Sequence, residues 1–308
     1  MKRLTPLALC LTAVLSFSAG CGGDSEAKEQ GSVSGRLPVV TTTTQLTDFA
    51  QVVGGNHVDV YGILKPNVDA HDFEPSPADI AKLAQARVIV KNGVGLEAWF
   101  DPTIRNAETK ATIVEAADGV AIRHGQGEHA GEGDPHVWHD PRNARVMVHN
   151  IAAALIAADP AHRSDYEANE AAYGAELDRL DREISAEIGL LPNKKLVTNH
   201  DAFGYYVDRY RLDFVGSIIP SFDSQAELSA QDISNVVRLI RQIGVKAVFS
   251  ESSLPPKTAE AIGRDAGVTV VAGDDALYGD SLGPSGSDGD TYLKMLRHNT
   301  REIVDHLR

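Results

Sequence analysis

Residues 195–219, KLVTNHDAFGYYVDRYRLDFVGSII, decide the fold class. KLVTNH is a short apolar run, AFGYYVDRY carries helical spacing, and DFVGSI is a second apolar run. Strand, helix and strand in that order make a βαβ unit, whose two strands lie parallel. His200 stands where the first strand ends. In open parallel sheets, ligands bind beyond the carboxyl ends of the strands. The stretch therefore points to a binding residue as well as to a fold.

Downstream the alternation continues with SAQDISNVVRLIRQIG, KAVFSES, PPKTAEAIGRDAG and VTVVAG as helix, strand, helix and strand. Upstream the same order runs through LPVVTTT, a helix from Gln45 to Val53, VDVYGIL, PADIAKLAQA, RVIVKNG, GLEAWFDPTIRNA and ATIVEAA. Ser76 suits a helix N-cap and Pro77 the first helical position. The pattern predicts an α/β fold of two lobes, each a four-stranded parallel sheet flanked by helices. Between the lobes, NARVMVHNIAAALIAAD should pack on the first lobe. SDYEANEAAYGAELDRLDREISAEIGLL lacks proline and reads as one extended helix of about 25 residues, ~40 Å long. It would be a stiff spine. The expected division is an N-terminal lobe over 37–160, a linker helix over 161–190 and a C-terminal lobe over 191–308, closed by the amphipathic GDTYLKMLRHNTREIVDHLR.

The first residues bear on compartment. MKR is a positive n-region, LTPLALCLTAVLSF an apolar stretch too short and too early to span a membrane in the mature chain, and SAGC a small-residue run ending at Cys21. This resembles a bacterial lipoprotein signal over residues 1–20, cleaved before a Cys21 that is then acylated. Ser18 stands where leucine is commoner; the alternative is an ordinary secretory signal cut after SAG, or a simple membrane anchor. Of two cysteines only Cys21 survives cleavage, so no internal disulfide is available. Residues 21–36 read as a lipidated, Gly/Ser-rich flexible tether. Cleavage removes Lys2 and Arg3 and leaves 27 basic against 43 acidic side chains, a formal charge of −16. Nucleic acid and anionic lipid are poor partners for such a surface, and a cation is a good one. An acidic surface that only keeps an exported monomer soluble would give the same number.

Three histidines and one aspartate each follow a predicted strand: His71 in DAHDFEPSP, His136 in GDPHVWHDP, His200 in TNHDAFGYY and Asp280 in LYGDSLG. Each lobe delivers two of them to the same edge, so facing lobes would bring all four together. Imidazole and carboxylate suit a first-row divalent cation, and four protein ligands leave no open position for catalysis. Singly each signal is weak, since a lone loop histidine is more often a surface or hydrogen-bonded residue. Asp280 alone suits a turn or helix cap. His139 competes with His136, which is preferred because Pro135 and Trp138 flank and shield it.

DAHDFEPSP, DPHVWHDPRN, TNHDAFGYY, FSESS and GDSLGPSGSDGDTYLKMLRHNT, in this order behind a lipoprotein signal, resemble the zinc- and manganese-binding solute-binding proteins of ABC importers, the cluster A-I type. The resemblance covers nearly the whole mature chain. It implies two lobes joined by a rigid helix, a metal ion buried between them, the four ligands His71, His136, His200 and Asp280, and an ABC permease as partner outside the cytoplasmic membrane. It also implies a metal preference. Family members with glutamate at the third ligand position favour manganese, and this chain has His200 there. Three nitrogens and one carboxylate suit tetrahedral Zn²⁺, whereas Mn²⁺ takes more oxygen and a higher coordination number; a bidentate Asp280 would raise the count to five and keeps Mn²⁺ open.

RHGQGEHAGEGDPH, just ahead of His136, carries His124 and His129 among acidic residues. Zinc-importer members have a histidine- and acid-rich loop here, which gives His124 and His129 an auxiliary role; an ordinary solvated loop is the competing reading. Metal-bound histidines donate their other ring nitrogen to an acceptor. Glu251 is the first candidate, followed by Glu74 and Asp140, whose alternatives are helix capping beside Pro75 and Pro141 or a pair with an arginine. Trp99, Trp138, Phe203 and Tyr205 are expected to pack the core or seal the site rather than touch metal. The rival classes are a zinc hydrolase with Glu251 as general base and an adhesin-like lipoprotein with a structural metal. No HExxH, GxSxG or Walker A sequence supports an enzyme.

Overall fold

The strands alternate their side chains between two apolar layers. In the computed structural model, which describes residues 35–125 and 131–308, β1 (Leu37–Thr41), β2 (Val58–Gly62), β3 (Val88–Lys91) and β4 (Thr112–Glu115) form a parallel sheet in the order β2-β1-β3-β4. Val39 faces Val60 on one side and Val88 on the other, and Val90 pairs with Val114. Val39, Val88 and Val90 point into the main core, while Val40 and Ile89 join Leu83 and Phe100 in a second layer. That is the period-2 consequence of a strand buried on both faces. The signal over residues 1–20, Cys21, the tether apart from its last two residues, and His129 lie outside the described residues.

Helices α1 (Thr44–Gly54), α2 (Pro77–Gln85) and α3 (Phe100–Ala107) connect these strands. Ser76 caps α2 in a capping box with Asp79, and Pro77 opens the helix. The helix expected over GLEAWFDPTIRNA starts only at Phe100, because Gly93, Val94 and Gly95 all take positive φ and turn the chain first.

Next come α4 (Pro141–Ala158) and the spine α5 (Arg163–Gly189), 27 residues long and ~40 Å at the helical rise. The spine buries Tyr166, Tyr173, Leu177, Leu180, Ile184 and Ile188 along one side, a 3–4-residue stripe that packs on α1, α4, α6 and α9. The second half holds β5 (Lys195–His200), α6 (Gly204–Tyr210), β6 (Asp213–Ile219), α7 (Ala230–Ile243), β7 (Ala247–Phe249), α8 (Lys257–Ala266), β8 (Thr269–Val271) and α9 (Tyr292–Leu307). Its four parallel strands are hydrogen-bonded as two pairs, β5–β6 and β7–β8, rather than as one ladder. β5 and β7 lie side by side, and the Glu251 carboxylate, not a backbone carbonyl, accepts the His200 N–H across that seam.

The largest apolar cluster runs without a break from Leu37 and Val39 through the spine to Leu196, Phe249, Tyr292 and Leu307. At its centre Asp48 of α1 accepts from the Tyr292 backbone N–H of α9 (3.1 Å) and the Tyr173 hydroxyl of the spine (3.2 Å). Burial pushes the Asp48 carboxyl up to about 6 against those donors. Both halves thus share one core around α5, which opposes wide hinge motion. Among the described residues no helix is long and apolar enough to cross a membrane.

Candidate metal centre

Each of the four strand-end residues reaches the centre from a backbone that a carboxylate or a turn holds. His71 lies in the irregular segment between β2 and α2, where its N–H donates to Asp69 Oδ1 two residues earlier (2.9 Å). His136 repeats that arrangement: its N–H donates to Asp134 Oδ1 (3.0 Å) and the residue opens a 3₁₀ turn. His200 is the last residue of β5, and Asp280 follows the bridge between Glu251 and Leu277.

Here the ring nitrogens and carboxylate oxygens of His71, His136, His200 and Asp280 converge within 4.8 Å of one another. His136 Nε2 is 3.3 Å from both His71 Nε2 and His200 Nε2. Asp280 Oδ1 is 3.3 Å from His136 Nε2, and Oδ2 is 3.5 and 3.4 Å from His71 and His200. A tetrahedron with ligands at about 2.0–2.1 Å has edges of roughly 3.3–3.4 Å. The separations through His136 and Asp280 match such edges to about 0.1 Å, and all four donors lie close enough to share one small cation.

The tautomers agree. Asp134 Oδ1 accepts His136 Nδ1–H at 2.8 Å, and Glu251 Oε1 accepts His200 Nδ1–H at 2.8 Å. In both cases a single carboxylate oxygen takes the ring N–H and the same residue's backbone N–H. The ring is fixed and Nε2 is aimed at the centre. His136, His200 and Asp280 are at most 1% exposed. Apart from the three ring nitrogens that face them, both Asp280 oxygens are buried with no partner among the described residues. A buried carboxylate left so is costly unless a cation or charged ring meets it.

Charge within the cluster is strongly coupled to its geometry. Burial opposes charge on His136, yet Asp280 and Asp134 outweigh it and push the imidazole up to about 10. Burial likewise opposes charge on His200, and Glu251 with Asp280 pushes it up to about 9. Burial moves His71 down; Asp280 opposes the shift and the neighbouring rings add to it. Burial alone would raise Asp280, but His200 and His136 hold it well below the ordinary carboxylate range.

Other expected residues take different places. His139 contributes no atom to the cluster; it is buried against Phe203 (ring centroids 4.4 Å), neither ring nitrogen has a hydrogen-bond partner, and burial lowers it to about 3. Asp140 turns away from the rings to cap α4, accepting from the Arg142 N–H (2.9 Å) and pairing with its guanidinium. Glu74 is exposed and outside the cluster. His124 is exposed and bridges to Gly133, also outside the cluster.

Trp138 donates to the Gly279 carbonyl (3.1 Å) and its own carbonyl accepts the Tyr292 hydroxyl (2.6 Å), tying the loops of His136 and Asp280 together. Trp99 donates to the Ala70 carbonyl beside His71 (3.2 Å). A Cβ at two glycines would displace groups that support the rings: on Gly279 it would lie 2.0 Å from Glu251 Oε2, and on Gly204 1.6 Å from the Arg123 guanidinium that grips Asp134.

Sequence reasoning counted Asp134 only among the acids of the loop, not as the acceptor behind His136. The available signal was the repeat of Asp-x-His in DAH and DPH, since an aspartate two residues before a histidine can accept its N–H.

Comparison with known proteins extends over the whole chain. It is 30% identical to the manganese ABC transporter substrate-binding lipoprotein PsaA of Streptococcus pneumoniae, over 100% of this chain and 99% of that protein. It is 31% identical to the iron ABC transporter substrate-binding lipoprotein MtsA of Streptococcus pyogenes serotype M1, over 89% of this chain and 90% of that one. Among solved structures, the periplasmic zinc-binding protein TroA of Treponema pallidum superposes with a TM-score of 0.81 at 28% identity, covering 89% of this chain and 99% of TroA. These proteins are solute-binding receptors, not enzymes. With residues 39–306 matching the profile described as zinc-uptake complex component A, periplasmic, the chain belongs to that family and is a substrate-binding protein of a metal ABC transporter.

Proposed function

We propose that this receptor captures Zn²⁺ outside the cytoplasmic membrane through His71, His136, His200 and Asp280 and hands it to the permease of its importer. The observation that carries the reading is the donor set itself: three imidazole nitrogens and one carboxylate within 4.8 Å of one another, with both oxygens of Asp280 otherwise unpartnered. Asp134 and Glu251 hold the rings. In this reading residues 37–160 and 191–308 act as the two lobes, 161–190 as the joining helix, Cys21 as the lipid anchor of a monomer, and His124 and His129 as auxiliary collectors.

Mn²⁺ is the second reading. It is favoured by both Asp280 oxygens facing the rings, which permits bidentate ligation, and by relatives named for manganese.

Competitive titration of chelator-stripped protein with Zn²⁺ and Mn²⁺, with stoichiometry read by native mass spectrometry, separates them. One tight zinc per chain that excess manganese does not displace is the expected result. Tight, preferential manganese retention overturns zinc as cargo, and no tight site for either overturns the ligand set.

The same titration has a proton signature. Before an ion arrives, His136 and His200 are held up to about 10 and 9 and carry protons at neutral pH; a bound ion requires Nε2 free. Binding at pH 7 should release close to two protons, and affinity should fall about a hundredfold for each pH unit lost from there. Calorimetry in buffers of different ionisation enthalpy counts them; zero release would contradict the charge state assigned to the two rings.

A further inference from the structure

The loop after β6, residues 220–225, touches the ligands without supplying one, as Glu251 after β7 also does. Phe222 is buried over His136, with ring centroids 6.3 Å apart. Two residues on, the buried Ser224 hydroxyl donates to Asp69 Oδ2 at 2.6 Å, and Gln225 Nε2 donates to the same oxygen at 2.9 Å. The other oxygen of Asp69 holds the His71 N–H. One carboxylate therefore connects a ligand of the first lobe to a loop of the second.

His71 is also the ligand with the weakest support. Its side chain is 8% exposed where those of the others are fully covered, and no acceptor among the described residues holds its Nδ1. It lines a cavity of about 320 Å³ walled by Phe222, Asp223, Pro135 and Leu96. By contrast, the loops of His136 and Asp280 are bound to each other through Trp138, and Glu251 fixes His200. The 220–225 loop is itself fastened behind His200, since the Asp201 N–H donates to the Ser221 carbonyl (3.1 Å).

Resting on the reading of the four residues as the metal site, we infer that Asp69, Ser224 and Gln225 are positioning residues that clasp His71 over the ion, and that the Ser224–Asp69 hydrogen bond sets the rate at which metal leaves through the His71 side. The ion parts from His71 first, because the other three ligands stay fixed while the clasp opens. A hydrogen bond from a buried hydroxyl to a carboxylate is among the stronger kinds, and it must break before the Asp69–His71 segment swings away from the second lobe.

The test is the release of Zn²⁺ from the loaded, full-length mature protein into excess chelator, followed by stopped flow beside the thermal midpoint. Ser224→Ala should release zinc about tenfold faster, ~1.4 kcal/mol on the barrier, with Ser224→Thr, which keeps the hydroxyl, near the parent rate. Gln225→Ala, at an exposed position, should give a smaller rise of about threefold with an unchanged midpoint, and serves if Ser224→Ala folds poorly. A purely structural role would lower the midpoint and leave the release rate alone. A parent chain that retains no zinc overturns the site and this inference with it. A parent that retains zinc while the Ser224→Ala or Gln225→Ala chain releases it at the parent rate, or while Ser224→Thr releases it as fast as alanine, overturns only the clasp.

Discussion

His200→Ala should lose two to three orders of magnitude in zinc affinity while keeping the fold. Tight four-ligand zinc sites gather ~10–16 kcal/mol, so one ligand of four accounts for ~2.5–4 kcal/mol, or about a factor of 10²–10³. The fold should survive because His200 ends β5 at the polar centre, whereas the apolar anchors of that strand are Leu196 and Val197. Glu251 Oε1 still receives the backbone N–H of residue 200. The measurement is the zinc dissociation constant by chelator competition, paired with a circular dichroism melt. Unchanged affinity would remove His200 from the site, and collapse of the fold would make the metal structural rather than cargo.

The largest stability loss is expected from Trp138→Ala. Its indole is 0% exposed, meets the His136 ring edge-on at 5.4 Å and donates to the Gly279 carbonyl. Removing a buried aromatic of this size costs ~3–5 kcal/mol, a large part of the ~5–15 kcal/mol that holds a protein folded. It also leaves the Gly279 carbonyl unpaired beside Asp280. Urea denaturation should show the midpoint fall with the slope preserved, and the thermal midpoint should drop by roughly 10 °C. Trp138→Phe retains most of the packing and loses only the N–H, so it should recover most of the stability. A Trp138→Ala chain within about 1 kcal/mol of the parent would mean that the tie between the His136 and Asp280 loops is slack.

The architecture was readable because its signals are local. Apolar runs alternating with helical stretches mark βα units within a few dozen residues, and Ser76-Pro77 and the proline-free spine mark their own ends. The strand-end positions of His71, His136, His200 and Asp280 followed from that alternation together with the general rule for open parallel sheets. The start of α3 was misplaced by a local cause as well, a run of positive-φ residues at Gly93, Val94 and Gly95 that the apolar pattern does not report.

What the chain by itself determined was therefore the class of fold and the chemistry of the donors. Tertiary structure decided which of the candidate partners they take. Glu251 reaches His200 across 51 residues and Ser224 reaches Asp69 across 155, while Asp140, equally suited by charge, turns to Arg142 two residues away. His136 and His139 are three residues apart on one turn, yet one faces Asp280 and the other Phe203. The pairing of β5–β6 apart from β7–β8 and the single core around α5 are of the same kind. The reason is physical: periodicity, capping and the Asp134–His136 contact are set by neighbours along the chain, whereas the acceptor His200 finds depends on which distant segment packing brings within about 3 Å of it.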